Sequence, residues 1–280
     1  MKARVFPGAL RLPRDIAWLL AGLMALLAWE ASGWDLVTAR WVGGASGFAW
    51  REAWWARVLL HDGGRWLSLV LLALLAWDAA RPLLHGPSRR ERAYWLAVVI
   101  ACALAVPALK QASATSCPWD LAEFGGGAAY VPHWLIGQLD GGPGHCFPSG
   151  HAVSAFAFFG TVFLWRPHRP GLALGLLGAI AVMGVVYGTT QYLRGAHFIS
   201  HTLWSAWLCA AMALCARRAA YIGMRAAAAT SSAPSPRASA SSNSAASAGV
   251  TNRSTPPRCA SSIISRRSLR AIASSNDAGV

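Results

Sequence analysis

Charge is what this chain has least of. Asp, Glu, Lys and Arg make up 13% of its 280 residues, and only 11 of them are acidic. That share is about half of what an ordinary soluble domain carries. With 55% of positions hydrophobic, a soluble fold is excluded as the reading of the chain. Internal repeats are also missing, which argues against a solenoid or propeller.

What is there instead is a series of apolar runs near 15–31, 66–82, 93–109, 151–165, 171–188 and 198–216. Each is at or near the length that crosses about 30 Å of hydrocarbon. Lipid-exposed backbone must satisfy its own hydrogen bonds, so such runs read as helices rather than sheet. The expectation is an all-α polytopic membrane protein, a bundle of six transmembrane helices spanning 1–225. From about 226 to 280 an Ala, Ser and Arg mixture replaces the large apolar residues. That composition predicts a disordered tail. The first run follows Lys2, Arg4, Arg11 and Arg14, so a signal peptide competes with a first span. No clean small-x-small cleavage site follows before Trp34, which favours the span.

The net charge of +14 does not point to nucleic acid, because much of it flanks the runs. One side collects Lys2, Arg4, Arg11, Arg14, Arg81, Arg89, Arg90, Arg92, Arg166, Arg169, Arg217, Arg218 and Arg225; the other holds Arg40, Arg51, Arg57, Arg65, Lys110 and Arg194. The positive-inside bias then puts both termini in the cytoplasm. The four arginines of 32–65 go against that trend. With Trp34, Trp41, Trp50, Trp54, Trp55 and Trp66 around them, they read as a chain lying along the outer interface.

This sidedness brings three unusual places to the outer face: Lys110 at the end of ALAVPALK, His145 and His151 around PSGH, and Arg194, His197 and His201 in QYLRGAHFISH. A long glycine-rich loop, 110–148, joins the first two, and loops of this length are often functional. Small residues before a helix make a phosphate cradle, since the first N–H groups point outward and the dipole favours an anion. Gly150 admits close approach and Ser149 adds a hydroxyl. A plain N-cap beside an interfacial histidine is the alternative. His197 and His201, four apart, share a helix face; the pair suits nucleophilic catalysis, a metal site or a chance interfacial pair alike. Lys110 and Arg194, read alone, are interfacial anchors. Convergence on one side raises the functional reading for all of them.

Taken together, FPSGH after a lysine-ended helix and before GAHFISH resembles the PAP2 superfamily of acid phosphatases, in particular its six-span membrane branch, over about 66–216. The family pattern is Lys, six residues, Arg-Pro; then PSGH; then Ser-Arg, five residues, His, three residues, Asp. The resemblance implies that His197 attacks phosphorus, that His151 protonates the leaving oxygen, and that Lys110, Ser149 and Gly150 hold phosphate, with no metal and no cofactor. Three positions depart: Cys117 stands where the first arginine belongs, Gln191 where the second does, and His201 where the aspartate orients the nucleophile. Arg194 then completes the clamp with Lys110, His201 orients His197, and Asp120 is a candidate for the missing negative charge. In an oxidising compartment Cys117 and Cys146 are placed to form a disulfide.

The implied protein is a phosphatase of a bacterial inner membrane, opening to the periplasmic side, with a membrane lipid phosphate or diphosphate as substrate and no nucleic-acid partner. Other classes stay open: a haem- or metal-binding protein using His145, His151, His197 and His201, a catalytically silent relative, or a lipid phosphotransferase.

Overall fold

The computed structural model describes residues 12–135 and 137–232. Each of the six apolar runs is helical. Helix α1 (Leu12–Ala31) turns at Gly33 into α2 (Trp34–Val42), and the two are bent by 69°. A two-residue hairpin, β1 (Gly43–Gly44) with β2 (Gly47–Phe48), leads to α3 (Trp55–Ala80). Helices α4 (Arg89–Gln111), α5 (Val153–Trp165), α6 (Pro170–Leu193) and α7 (Ile199–Ser232) follow. Four helices, α3, α4, α6 and α7, are long and apolar enough to cross a membrane, or five if α1 and α2 count as one bent span. The chain is therefore a helical, multi-pass membrane protein. At 13 residues, α5 reaches only about 20 Å, short of the hydrocarbon thickness.

Local signals explain the boundaries. Ser88 caps α4 in a reciprocal box with Glu91: the Glu91 N–H donates to the serine hydroxyl, and the Ser88 N–H to the glutamate. Pro170 opens α6 at its first turn. The short α5 is the hub, packed against α3, α4, α6 and α7. Around it lies the central core of Val99, Val106, Val153, Phe156, Ile180 and Cys209.

The segment 32–65, expected as a chain along the interface, is mostly regular structure. Asp35 of α2 accepts hydrogen bonds from Trp29 Nε1 and from the backbone and hydroxyl of Ser200, which ties α2 to the start of α7. Helix α3 starts at Trp55, well ahead of its apolar run, and its first eight residues are π-helical. At the end of the bundle marked by Asp15, that carboxylate pairs with Arg166 and Arg217, while Asp78 pairs with Arg92. Three of the arginines read as orientation signals are thus internal ion-pair partners as well. Helix α7 runs on through Ser232, past the boundary expected near 226; the rest of the predicted tail, 233–280, lies outside the described residues.

Candidate active site

The site is built on the joint between α6 and α7. Gly195 adopts φ +70°, and a Cβ there would stand 2.2 Å from the Phe48 ring, so only glycine fits this helix-ending turn. The N–H groups of Ala196 and His197 donate to the Gln191 carbonyl at 2.9 and 3.3 Å. This closes α6 and leaves His197 in the few residues before α7 begins, only 5% exposed. Its Nδ1 lies 3.5 Å from His201 Nδ1 and 3.5 Å from Cys146 Sγ, which leaves Nε2 as the nitrogen free of these contacts.

His151 comes from the other side of the cluster, just ahead of α5. Its ring packs on Tyr187 and on His61, with centroids 4.8 and 4.6 Å apart. Neither ring nitrogen makes a well-formed hydrogen bond, although the Leu60 backbone is a weak neighbour. Gly64 allows the approach of α3 that places His61 there, since a Cβ at 64 would meet the Tyr187 ring at 2.8 Å.

Between these elements is a cavity of about 650 Å³, lined by Lys110, Gly150, His151, Gln191, Arg194 and His197 among others. With Cys117, which also lines it, seven of the sequence-predicted residues, from α4, α6, the outer loop and the joints before α5 and α7, thus meet at one place. Gln191 and Arg194 are three apart at the end of α6, and residues so spaced share a helix face. Arg194 Nη1 donates to Gln191 Oε1 at 3.4 Å, and its Nε to the Arg51 carbonyl at 3.0 Å. An arginine at 194 therefore looks into the same space as a side chain at 191.

Other predicted residues are placed differently. His201 is fully buried behind His197 and does not line the cavity. The Ser149 N–H donates to the His201 carbonyl at 3.1 Å, and its hydroxyl oxygen is buried without a partner. Asp120 accepts from the Cys117 N–H and from Trp119 Nε1 at 3.3 and 3.0 Å; it holds its own turn together and makes no hydrogen bond to either histidine of the joint. His145 is exposed on the loop. Cys117 and Cys146 are joined in a disulfide, and the Trp119 N–H donates to the Gly195 carbonyl at 2.9 Å. The disulfide staples the outer loop to itself, and the Trp119 bond fastens it onto the α6–α7 joint.

Two cavity residues escaped the sequence reading: His61 and Arg65, from the start of α3. The signal was a polar HDGGR directly before an apolar run. Lys110, Arg65 and Arg194 all lack a carboxylate at ion-pair distance, among the described residues. The cavity thus carries a positive field, with Glu52 and Asp62 as the neighbouring countercharges beyond ion-pair distance. Burial, reinforced by the neighbouring cationic groups, pushes His151 down to about 3 and His197 well below the usual imidazole range. Both rings are neutral at rest.

A metal reading fits poorly. Among the described residues one His/Cys/Asp/Glu group, Cys146, His197 and His201, is close enough to share an ion, but the Cys146 sulfur is bound in the disulfide and offers no thiolate. The four-histidine centre with His145 and His151 does not assemble. A larger groove of about 1000 Å³ between α1, α5, α6 and α7 has only the Asp15–Arg166 pair as charged lining, so the chemistry lies in the smaller cavity.

Neutral imidazoles beside unpaired cations suit attack on a phosphoryl group. The family model of the PAP2 superfamily matches residues 92–224. Those residues are similar to the PAP2 superfamily. No curated protein and no solved structure matches the chain. PAP2 proteins are phosphatases, and the match supports a hydrolase at that coarse level. The PAP2 segment contains Lys110, His151, Arg194, His197 and His201, whereas His61 and Arg65 precede it.

Proposed function

We propose that the chain hydrolyses a lipid phosphate or diphosphate through a phosphohistidine, with its site on the periplasmic face of a bacterial inner membrane and both termini in the cytoplasm. The observation that carries this reading is the single cavity lined by His151, His197, Lys110 and Arg194, set in a helical membrane protein. His197 Nε2 attacks phosphorus, and His151 gives a proton to the leaving oxygen. Lys110, Arg194 and Arg65 neutralise the charge spread over the equatorial oxygens. The Gly150 N–H, for which no protein acceptor stands among the described residues, adds a donor; the Ser149 N–H is already engaged by His201. The apolar helices suit a substrate whose tail stays in the bilayer while its headgroup enters the cavity.

The test is phosphate release in detergent from phosphatidic acid, phosphatidylglycerol phosphate, undecaprenyl diphosphate and a lipopolysaccharide anchor. His197→Ala and His151→Ala should each lower turnover by at least about a hundredfold. Equal rates for both variants and the wild type on every substrate would falsify the reading.

A further inference from the structure

Glu30 is an acid near the end of the apolar helix α1, only 6% exposed. An ionisable group in such a place is costly and calls for a function. One of its oxygens, Oε1, accepts from Trp204 Nε1 at 2.9 Å, and the same oxygen stands 3.6 Å from His133 Nε2. The other, Oε2, is buried and has no partner. The neighbouring carboxylate, Asp35, is fully occupied by the Ser200 backbone and hydroxyl and by Trp29. Glu30 is therefore the under-satisfied acid at this end of the bundle.

His133 connects it to the site. Its ring is stacked on Phe147 at 3.7 Å and meets His201 edge to face at 6.1 Å. His201 in turn contacts His197 through the Nδ1 pair at 3.5 Å. The four groups form a line of neighbours, His197, His201, His133, Glu30, buried except at the partly exposed His133, that leads away from the cavity. We propose that Glu30, acting through His133, is the carboxylate that balances the positive charge developing on His197 and His201, where the PAP2 pattern has an aspartate at 201. This rests on the phosphohistidine reading above.

The chemistry requires such a group. As His197 Nε2 bonds phosphorus, the bond from phosphorus to the leaving oxygen breaks and that oxygen takes from His151 the proton that the monoanionic phosphate brought to it. The His197 ring, still protonated at Nδ1, then carries a positive charge. It keeps that charge until water adds to phosphorus, the N–P bond breaks and the water proton passes to His151. A neutral His201 can accept from Nδ1 but supplies no negative charge. Glu30 is a positioning residue in this scheme, since it touches neither substrate nor reacting atoms.

Orthovanadate, which bonds to an imidazole in the geometry of phosphoryl transfer, tests this without turnover. In the purified full chain, Glu30→Gln and His133→Ala should each weaken vanadate binding by at least about tenfold and lower kcat on phosphatidic acid similarly, with KM nearly unchanged. In a His201→Asp background, where a carboxylate meets His197 directly, Glu30→Gln should change vanadate affinity and kcat by less than about twofold. Wild-type affinity and kcat in Glu30→Gln overturn the proposal, and so does an equal loss in both backgrounds, which marks a merely structural role. If the wild type itself neither binds vanadate nor releases phosphate, the phosphatase reading fails first and the relay with it.

Discussion

The PAP2 segment and the stretch before it meet at one cavity but bring different kinds of group to it. From the segment come both reacting histidines, Lys110 and Arg194; from residues 12–80 come His61 and Arg65 at the cavity wall and the carboxylates of Glu30 and Asp35 behind it. The difference follows the departures from the family pattern. Where Cys117 removes a cation, the α3 residues Arg65 and His61 stand in the same cavity; where His201 removes an acid, Glu30 lies two rings away. Charge that a linear pattern records as missing can return from another helix, because a phosphoryl group senses position and not sequence order.

The sharpest way to break this comparison is to remove one arginine from each part. Arg194→Ala takes away a buried guanidinium that lines the same cavity as the nucleophile and should lower kcat/KM by about a hundredfold. Arg65→Ala removes a more exposed cation, screened by solvent, and should cost about tenfold. Steady-state kinetics on the preferred lipid check both. An Arg65 variant as active as wild type leaves the compensation for Cys117 without support.

The pH profile sharpens the same comparison from the side of the histidines. His197 must be neutral to attack, and burial holds it well below the ordinary imidazole value. Lowering the pH from 6 to 5 therefore leaves its lone pair available, and kcat/KM should change by less than about threefold. An imidazole of ordinary pKa would lose nearly tenfold over that unit. His151, held to about 3 by burial and nearby cations, is neutral at neutral pH and lacks the second proton that a general acid gives up. The proton must arrive with a monoanionic phosphate, whose second pKa is about 6. Above that value kcat/KM should fall by about tenfold per unit. A rate that drops towards pH 5 instead means that His197 is not shielded as the structure has it.

Much of this was legible in the sequence, for physical reasons that also mark where reading stopped. The helices announced themselves because apolar length is a one-dimensional property. PSGH and GAH marked two helix joints, since both depend on local backbone geometry. His61 and Arg65 were hidden because their segment is polar and rich in tryptophan, which reads as interface, and nothing in it signals a π-helical start to α3. Glu30 was a single acid inside an apolar run, and His133 an ordinary loop histidine. Their pairing depends on how the loop carrying His133 lies against the end of α1, which no periodicity reports. Asp120 failed as a substitute carboxylate for a local reason: an aspartate three residues after Cys117 caps its own turn before it can reach the joint.

The smallest expected effect concerns Gln191, and it tests the migration of the arginine along α6. Its side chain is 2% exposed, its Nε2 has no partner, and its Oε1 steadies Arg194 at 3.4 Å. Losing one neutral donor and one weak buttress should lower kcat by about threefold in Gln191→Ala, less than any arginine change. Positions 191 and 194 share a face, so Gln191→Arg should recover at least part of the activity lost in Arg194→Ala. An arginine at 191 that restores nothing means that the cavity needs its cation where the loop carbonyl of Arg51 holds it, and that the clamp is defined by Arg194 itself and not by the helix face.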